Sequence, residues 1–182
     1  MNEFKEFLNP DEEILWTGSP EETKALDPLY KSKYLIKAVI TVALAVLILW
    51  LLISKNTLNT LVVIVVAAVS AWVLYAPFND ARKAKSMSYA VTNQRILTHI
   101  SSGLKSVTFE SIKMAKIVKD SDGHTSFLFG EEAVTLKPTQ FRNIAILGPK
   151  TSADLSNCER FVMFAVKDPQ QLKDVLAKYI AI

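Results

Sequence analysis

Hydrophobic and polar positions divide the chain into three regimes. From Ala38 to Ile53 (AVITVALAVLILWLLI) there is no charge, and Thr41 is the only polar residue. From Leu58 to Phe78 (LNTLVVIVVAAVSAWVLYAPF) the chain is again uncharged, and only Ser54, Lys55, Asn56 and Thr57 separate the two runs. A helix rising ~1.5 Å per residue needs about 20 apolar residues to cross a ~30 Å hydrocarbon core. The second run reaches across unaided, and the first does so once Tyr34, Leu35 and Ile36 join it and Lys37 snorkels to the interface. A helix of a soluble protein keeps a polar stripe where it meets water. Asn59, Thr60 and Ser70 do not line up as one. The pattern predicts a transmembrane hairpin over residues 34–79, with spans at about 34–54 and 58–78. An acidic start, MNEFKEFLNPDEE, does not fit a signal peptide, whose first region is basic.

Residues 1–33 form an N-terminal segment. It offers a short helix around Phe4, Phe7 and Leu8, a break at Asn9-Pro10, and a strand-like run from Glu13 to Thr17 closed by Gly18-Ser19-Pro20. The apolar residues of that run predict docking on the later domain. After the charged exit NDARKAKS, residues 86–182 switch to short β-type runs: 88–92, 95–101, 105–110, 114–119, 125–129, 133–136 and 160–166. Asn93-Gln94, Ser102-Gly103 and Asp120-Ser121-Asp122-Gly123 supply turns, the Asp-Gly pair being a strong hairpin signal. The closing segment reads as a helix, with Asp168 as N-cap, Pro169 at the first position and Gln171 at capping-box spacing. Leu172, Val175, Leu176 and Tyr179 lie on its apolar face. Residues 137–157 fit no element and are read as a long loop, a kind of segment that often carries function. Seven strands and a terminal helix predict a small antiparallel barrel or sandwich.

Charge adds an orientation. Lys31, Lys33 and Lys37 precede the first span, Arg82, Lys83 and Lys85 follow the second, and the turn has Lys55 alone. Lys and Arg near span ends favour the cytoplasmic side, so the expectation is a multi-pass cell-membrane protein with both termini cytoplasmic. Tyr34, Trp50, Trp72 and Tyr75 join these basic residues as the predicted interface belt, and Pro77 is expected to end the second helix. Net charge is −3 over residues 1–37 and +5 over residues 79–182. A basic domain at the inner leaflet is attracted to anionic lipid. The single cysteine, Cys158, allows no internal disulfide.

Three stretches in order carry a family resemblance. Glu12-Glu13-Ile14-Leu15-Trp16-Thr17-Gly18-Ser19-Pro20, the hairpin, and Tyr89-Ala90-Val91-Thr92-Asn93-Gln94-Arg95-Ile96 together resemble the membrane-anchored bacterial PH-like domain proteins. The resemblance implies an α+β membrane protein, with a two-helix hairpin and a seven-stranded PH-like antiparallel β-barrel capped by a C-terminal α-helix. It implies a binding or scaffold module and no common reaction. Phosphoinositide-binding PH domains carry a basic cluster across their first two strands, whereas Ser88 to Ser101 offers Arg95 alone, so that activity is not implied.

Chemistry-bearing residues are sparse. His99, His124 and Cys158 lack metal-ligand spacing, Glu131 and Glu132 read as a solvated turn and on a strand would point to opposite faces, and no Gly-rich phosphate loop occurs. No cofactor, no metal and no catalytic residue is expected. The spans hold no ionisable group of the kind transport pathways use. Ala67, Ala68 and Ala71 allow close helix packing, within the hairpin or in a homo-oligomer. Arg95, Lys105, Lys113, Lys116 and Lys119 are the candidates for contact with lipid headgroups or a partner, at about 1 kcal/mol each near an anionic surface. No dense basic patch interleaves with aromatics, so nucleic acid is not an expected ligand. The expected function is non-catalytic: a membrane-held binding or scaffold module recognising a protein segment or anionic lipid. The alternative is a small subunit of a larger complex whose hairpin makes the functional contacts.

Overall fold

The computed structural model describes residues 4–57, 59–101, 103–130, 137–146 and 160–181. Its architecture is α+β, with two long apolar helices and two antiparallel sheets. The chain divides into two compact units, residues 24–81 and a second unit made of residues 1–23 together with 82–182.

The first unit contains the long helices. Helix α1 runs Pro28–Ser54, with Pro28 at its first position, where the missing N–H costs nothing. Helix α2 runs Thr60–Lys85. Both are long and apolar enough to cross a membrane, and none of the most apolar eighteen residues of either is buried. Thr41 and Ser54 satisfy their hydroxyls on the carbonyls four residues back, 2.8 and 2.9 Å away. Pro77 does not end α2 but lies inside it. Its ring removes one hydrogen bond and leaves φ helical, while Ala81, Arg82, Lys83, Ala84 and Lys85 beyond it are strong helix formers. What reads as a charged exit is the last part of the helix, and Ala84 there is drawn into the core of the β unit.

In the β unit, β1 (Ile14–Gly18), β2 (Ser88–Thr92), β3 (Arg95–Ile100) and β4 (Gly103–Thr108) form one sheet in that order. A second sheet has the order β5 (Met114–Lys119), β6 (Thr125–Gly130), β7 (Arg160–Met163). Six of the seven strands expected after the hairpin are present among the described residues. A further strand comes from before the hairpin: Ile14, Trp16, Thr17 and Gly18 pair antiparallel with Thr92, Val91, Ala90 and Tyr89. Among the described residues the strands make two sheets and no closed barrel. The strand expected at 133–136 lies outside the described residues.

Two further corrections concern helices. The expected loop contains α3 (Pro138–Ile146), with Phe141 and Ala145 buried one turn apart and Gln140 Oε1 accepting the Lys137 N–H at 3.0 Å. The closing helix α4 (Pro169–Leu176) buries Leu172 and Leu176, but Asp168 makes no side-chain cap. Tyr179, expected on the apolar face, is 40% exposed and stacks on Phe109 at 4.7 Å. The core joins both sheets: Tyr89, Val91, Ile96, Phe127, Phe129, Phe161, Met163, Leu172 and Leu176 belong to one cluster. Tyr89 is fully buried; its hydroxyl donates to the Phe164 carbonyl at 2.8 Å and accepts the Phe164 N–H at 3.1 Å.

Candidate functional site

The turn between β2 and β3 is tied to the N-terminal segment by a buried charged cluster. The Thr92 hydroxyl accepts the turn N–H groups of Gln94 and Arg95 at 3.2 and 3.0 Å. It donates to Glu12 Oε1 at 2.8 Å. Arg95 grips the same carboxylate with both edges of its fork, Nε on Oε1 and Nη2 on Oε2, each at 2.9 Å. A bidentate pair of this kind is among the stronger side-chain contacts. Arg95 Nη2 also reaches the Phe7 carbonyl, and Asn9 donates its N–H to Glu12 Oε2, both at 2.8 Å. Asn93 finishes the join, accepting the Glu13 N–H at 3.0 Å and donating to the Asp11 carbonyl at 3.1 Å.

The electrostatics of Glu12 follow from these partners. Burial pushes its carboxyl up, but the hydrogen bonds from Arg95, the Asn9 N–H and Thr92, with the Arg95 charge, together outweigh burial. They hold it below the usual carboxylate range. Phe4 is buried against Ala90 and Leu97 in a small second core. The Phe4 and Phe7 rings stand 6.4 and 6.0 Å from the His99 ring. At the other end of β1 the Trp16 ring lies so close over Gly18 that a Cβ there would overlap it.

Of the five predicted ligand-contacting residues, Arg95 is engaged by Glu12. Lys105 donates to the Ile144 carbonyl at 3.0 Å, at the C-terminal end of α3, where the helix dipole favours a cation. Lys116 and Lys119 are exposed on β5, with Lys113 exposed just before its first residue, beside Ile117, which is 36% exposed. Alternation places Lys116 on one face of β5 and Lys119 on the other. Among the described residues β5 is an edge strand, paired only with β6. The five do not form one patch, and three of them share an edge.

Among the predicted interface residues, Lys31, Lys33, Lys37, Arg82, Lys83 and Lys85 are exposed. Tyr34 and Tyr75 both approach Phe78, with centroids 6.2 and 6.4 Å away, and Trp50 and Trp72 are 60% and 79% exposed. His124 pairs with the Glu21 carboxylate. Cys158, Glu131 and Glu132 lie outside the described residues. Among those described, no group of three or more His, Cys, Asp or Glu is placed to hold a metal ion.

Two features escape sequence reasoning. The Glu12–Arg95 pair joins positions 83 residues apart, and its only linear trace is an acidic pair just before an apolar strand. The second is a pocket of about 450 Å³ lined by Ser19, Pro20, Glu21, Glu22, Lys85 and Lys167. Nothing in the pattern around Lys167 sets it apart. No family model matches the chain, and neither the curated proteins nor the solved structures contain a match to it.

Proposed function

We propose that this chain is a non-catalytic, membrane-anchored binding module. Helices α1 and α2 cross the membrane as a hairpin with both termini cytoplasmic, and the β unit stands at the inner surface as a PH-like domain. The length and apolar composition of both helices, with none of the most apolar eighteen residues of either buried, support the first part. The basic residues at both chain ends of the hairpin support the orientation. The order of four strands, three strands and a helix supports a PH-like arrangement, here with its first strand supplied from before the hairpin.

The observation that carries the binding role is the β5 edge with Lys113, Lys116 and Lys119. An extended segment can add to such an edge through main-chain hydrogen bonds. Lysines on an edge repel strands of like charge, so the segment that fits is an acidic one. The test is recovery of partners from membranes by the full-length chain and by a Lys113→Glu, Lys116→Glu, Lys119→Glu variant. Loss of an acidic protein partner on charge reversal is the expected result. Loss of binding to anionic vesicles alone would make lipid the ligand, and unchanged recovery of every partner would overturn the assignment. Replacing Ala38–Phe78 by an unrelated hairpin should leave recovery intact; loss there would transfer the role to the spans.

A further inference from the structure

The pocket at the end of α2 is a meeting point of three stretches of chain. The Lys167 N–H donates to the Ser19 carbonyl at 3.1 Å, and Pro20 bridges Val166. These bonds hold the Ser19–Glu22 stretch beside Lys167. Glu21 is tied to the His124 ring, and Glu22 to Lys85 at 2.9 Å. The lining therefore presents two ammonium groups, two carboxylates and one hydroxyl, with the full charges cancelling.

Two ammonium groups alone would suit a phosphate, and two carboxylates alone a cation. Side by side they suit a ligand that carries both charges. Lys85 is the last residue of α2, and the apolar run of that helix ends at Phe78. At ~1.5 Å per residue, Lys85 stands about 10 Å along the helix from the end of that run. A lysine side chain reaches from there into the headgroup layer outside the ~30 Å hydrocarbon core.

We infer that this pocket takes the headgroup of an ethanolamine phospholipid, with the phosphodiester on Lys85 and Lys167 and the primary ammonium on Glu21 and Glu22. The Glu22–Lys85 pair is exposed, 85% and 68% at the two side chains, so it is weakly held and opens to receive the ligand. A choline headgroup has no N–H to donate and is normally taken by an aromatic cage, and no lining residue is aromatic. A glycerol headgroup offers Glu21 and Glu22 neutral hydroxyls and no cation, so its contacts there lack the charge of an ammonium. The inference rests on the hairpin spanning the membrane.

The test reconstitutes the full-length protein into phosphatidylcholine nanodiscs containing equal minor amounts of phosphatidylethanolamine and phosphatidylglycerol. Lipids retained on the released protein are counted by native mass spectrometry. Phosphatidylethanolamine should be retained about fivefold over either competitor, as two exposed charge-assisted contacts allow. Glu22→Gln should abolish that preference, and Lys167→Ala should lower retention of all three lipids, while incorporation and circular dichroism stay unchanged. Equal retention of the three lipids, a preference for phosphatidylglycerol, an ethanolamine preference that survives Glu22→Gln, or retention that Lys167→Ala leaves unmoved overturns the site and leaves the spanning reading standing. A chain that stays out of the discs and remains monodisperse without detergent overturns both.

Discussion

Glu12 shows how much a single carboxylate can hold in place. It is buried, it accepts from Arg95, Thr92 and Asn9, and through them it joins the N-terminal segment to the β2–β3 turn. Removing it leaves the Arg95 guanidinium largely buried without its partner, so Glu12→Ala should cost about 3 kcal/mol in a thermal or denaturant melt. The same residue sets a pH dependence. Its carboxyl is a stronger acid in the folded chain than in the unfolded one, where it has the ordinary value of 4.5. The unfolded chain therefore takes up more protons as pH falls. The stabilisation is full above about pH 4.5 and is lost as pH drops through the lower folded value. Hydrogen exchange of the β1 amides should quicken over that window, and Glu12→Gln should flatten the response. At Gly18 the constraint is space: the Trp16 ring occupies the place of a Cβ. Gly18→Ala should destabilise by about 1–3 kcal/mol, with the loss read from Trp16 fluorescence.

Among the described residues, β1 is an edge strand whose hydrogen-bonded neighbour begins seventy residues after β1 itself ends, beyond both long helices. Such a strand is held by what it buries and by its end contacts, here Trp16 in the core and the Glu12 cluster. Helix α3 depends on similarly remote help. Its C-terminal carbonyls receive the Lys105 ammonium from β4, and its buried side sets Phe141 and Ala145 against the main core. Lys105→Ala should weaken the helix by about 1 kcal/mol, seen as faster exchange of amides 138–146 with the β2 and β3 amides unaffected. An unchanged α3 would show that packing alone holds it.

Taken as a whole, the molecule has its apolar hairpin inserted between two adjacent strands of one β unit. Both ends of the hairpin return to the same unit, which in the proposed topology puts that unit wholly on one side of the bilayer. This is directly measurable. With Cys158 replaced by Ser, Asn56→Cys in the hairpin turn should react with a membrane-impermeant maleimide on intact cells. Asp122→Cys in the β5–β6 turn should react only after permeabilisation. Labelling of both without permeabilisation would exclude the proposed orientation.

The local pattern by itself determined the two long helices, the β2–β3 and β5–β6 turns, and a short helix near the C-terminus. Each of these is specified by neighbours: an uninterrupted apolar run, an Asn-Gln or Asp-Gly bend, a proline at a first helical turn. Helix α3 was legible too, in Pro138 and the spacing of Phe141, Ile144 and Ala145, but the nearby Gly148-Pro149 pair masks it. What only the tertiary structure decided is which groups meet. Arg95 and Lys105 read as surface cations, yet a carboxylate 83 residues away and a helix end 39 residues away take them up. A charged side chain acquires its role from whatever opposite charge folding brings beside it, and linear spacing carries no record of that encounter. The same reason kept the first strand's partner, the grouping of the strands into two sheets, and the mixed-charge pocket of Glu21, Glu22, Lys85 and Lys167 out of reach until the chain was seen folded.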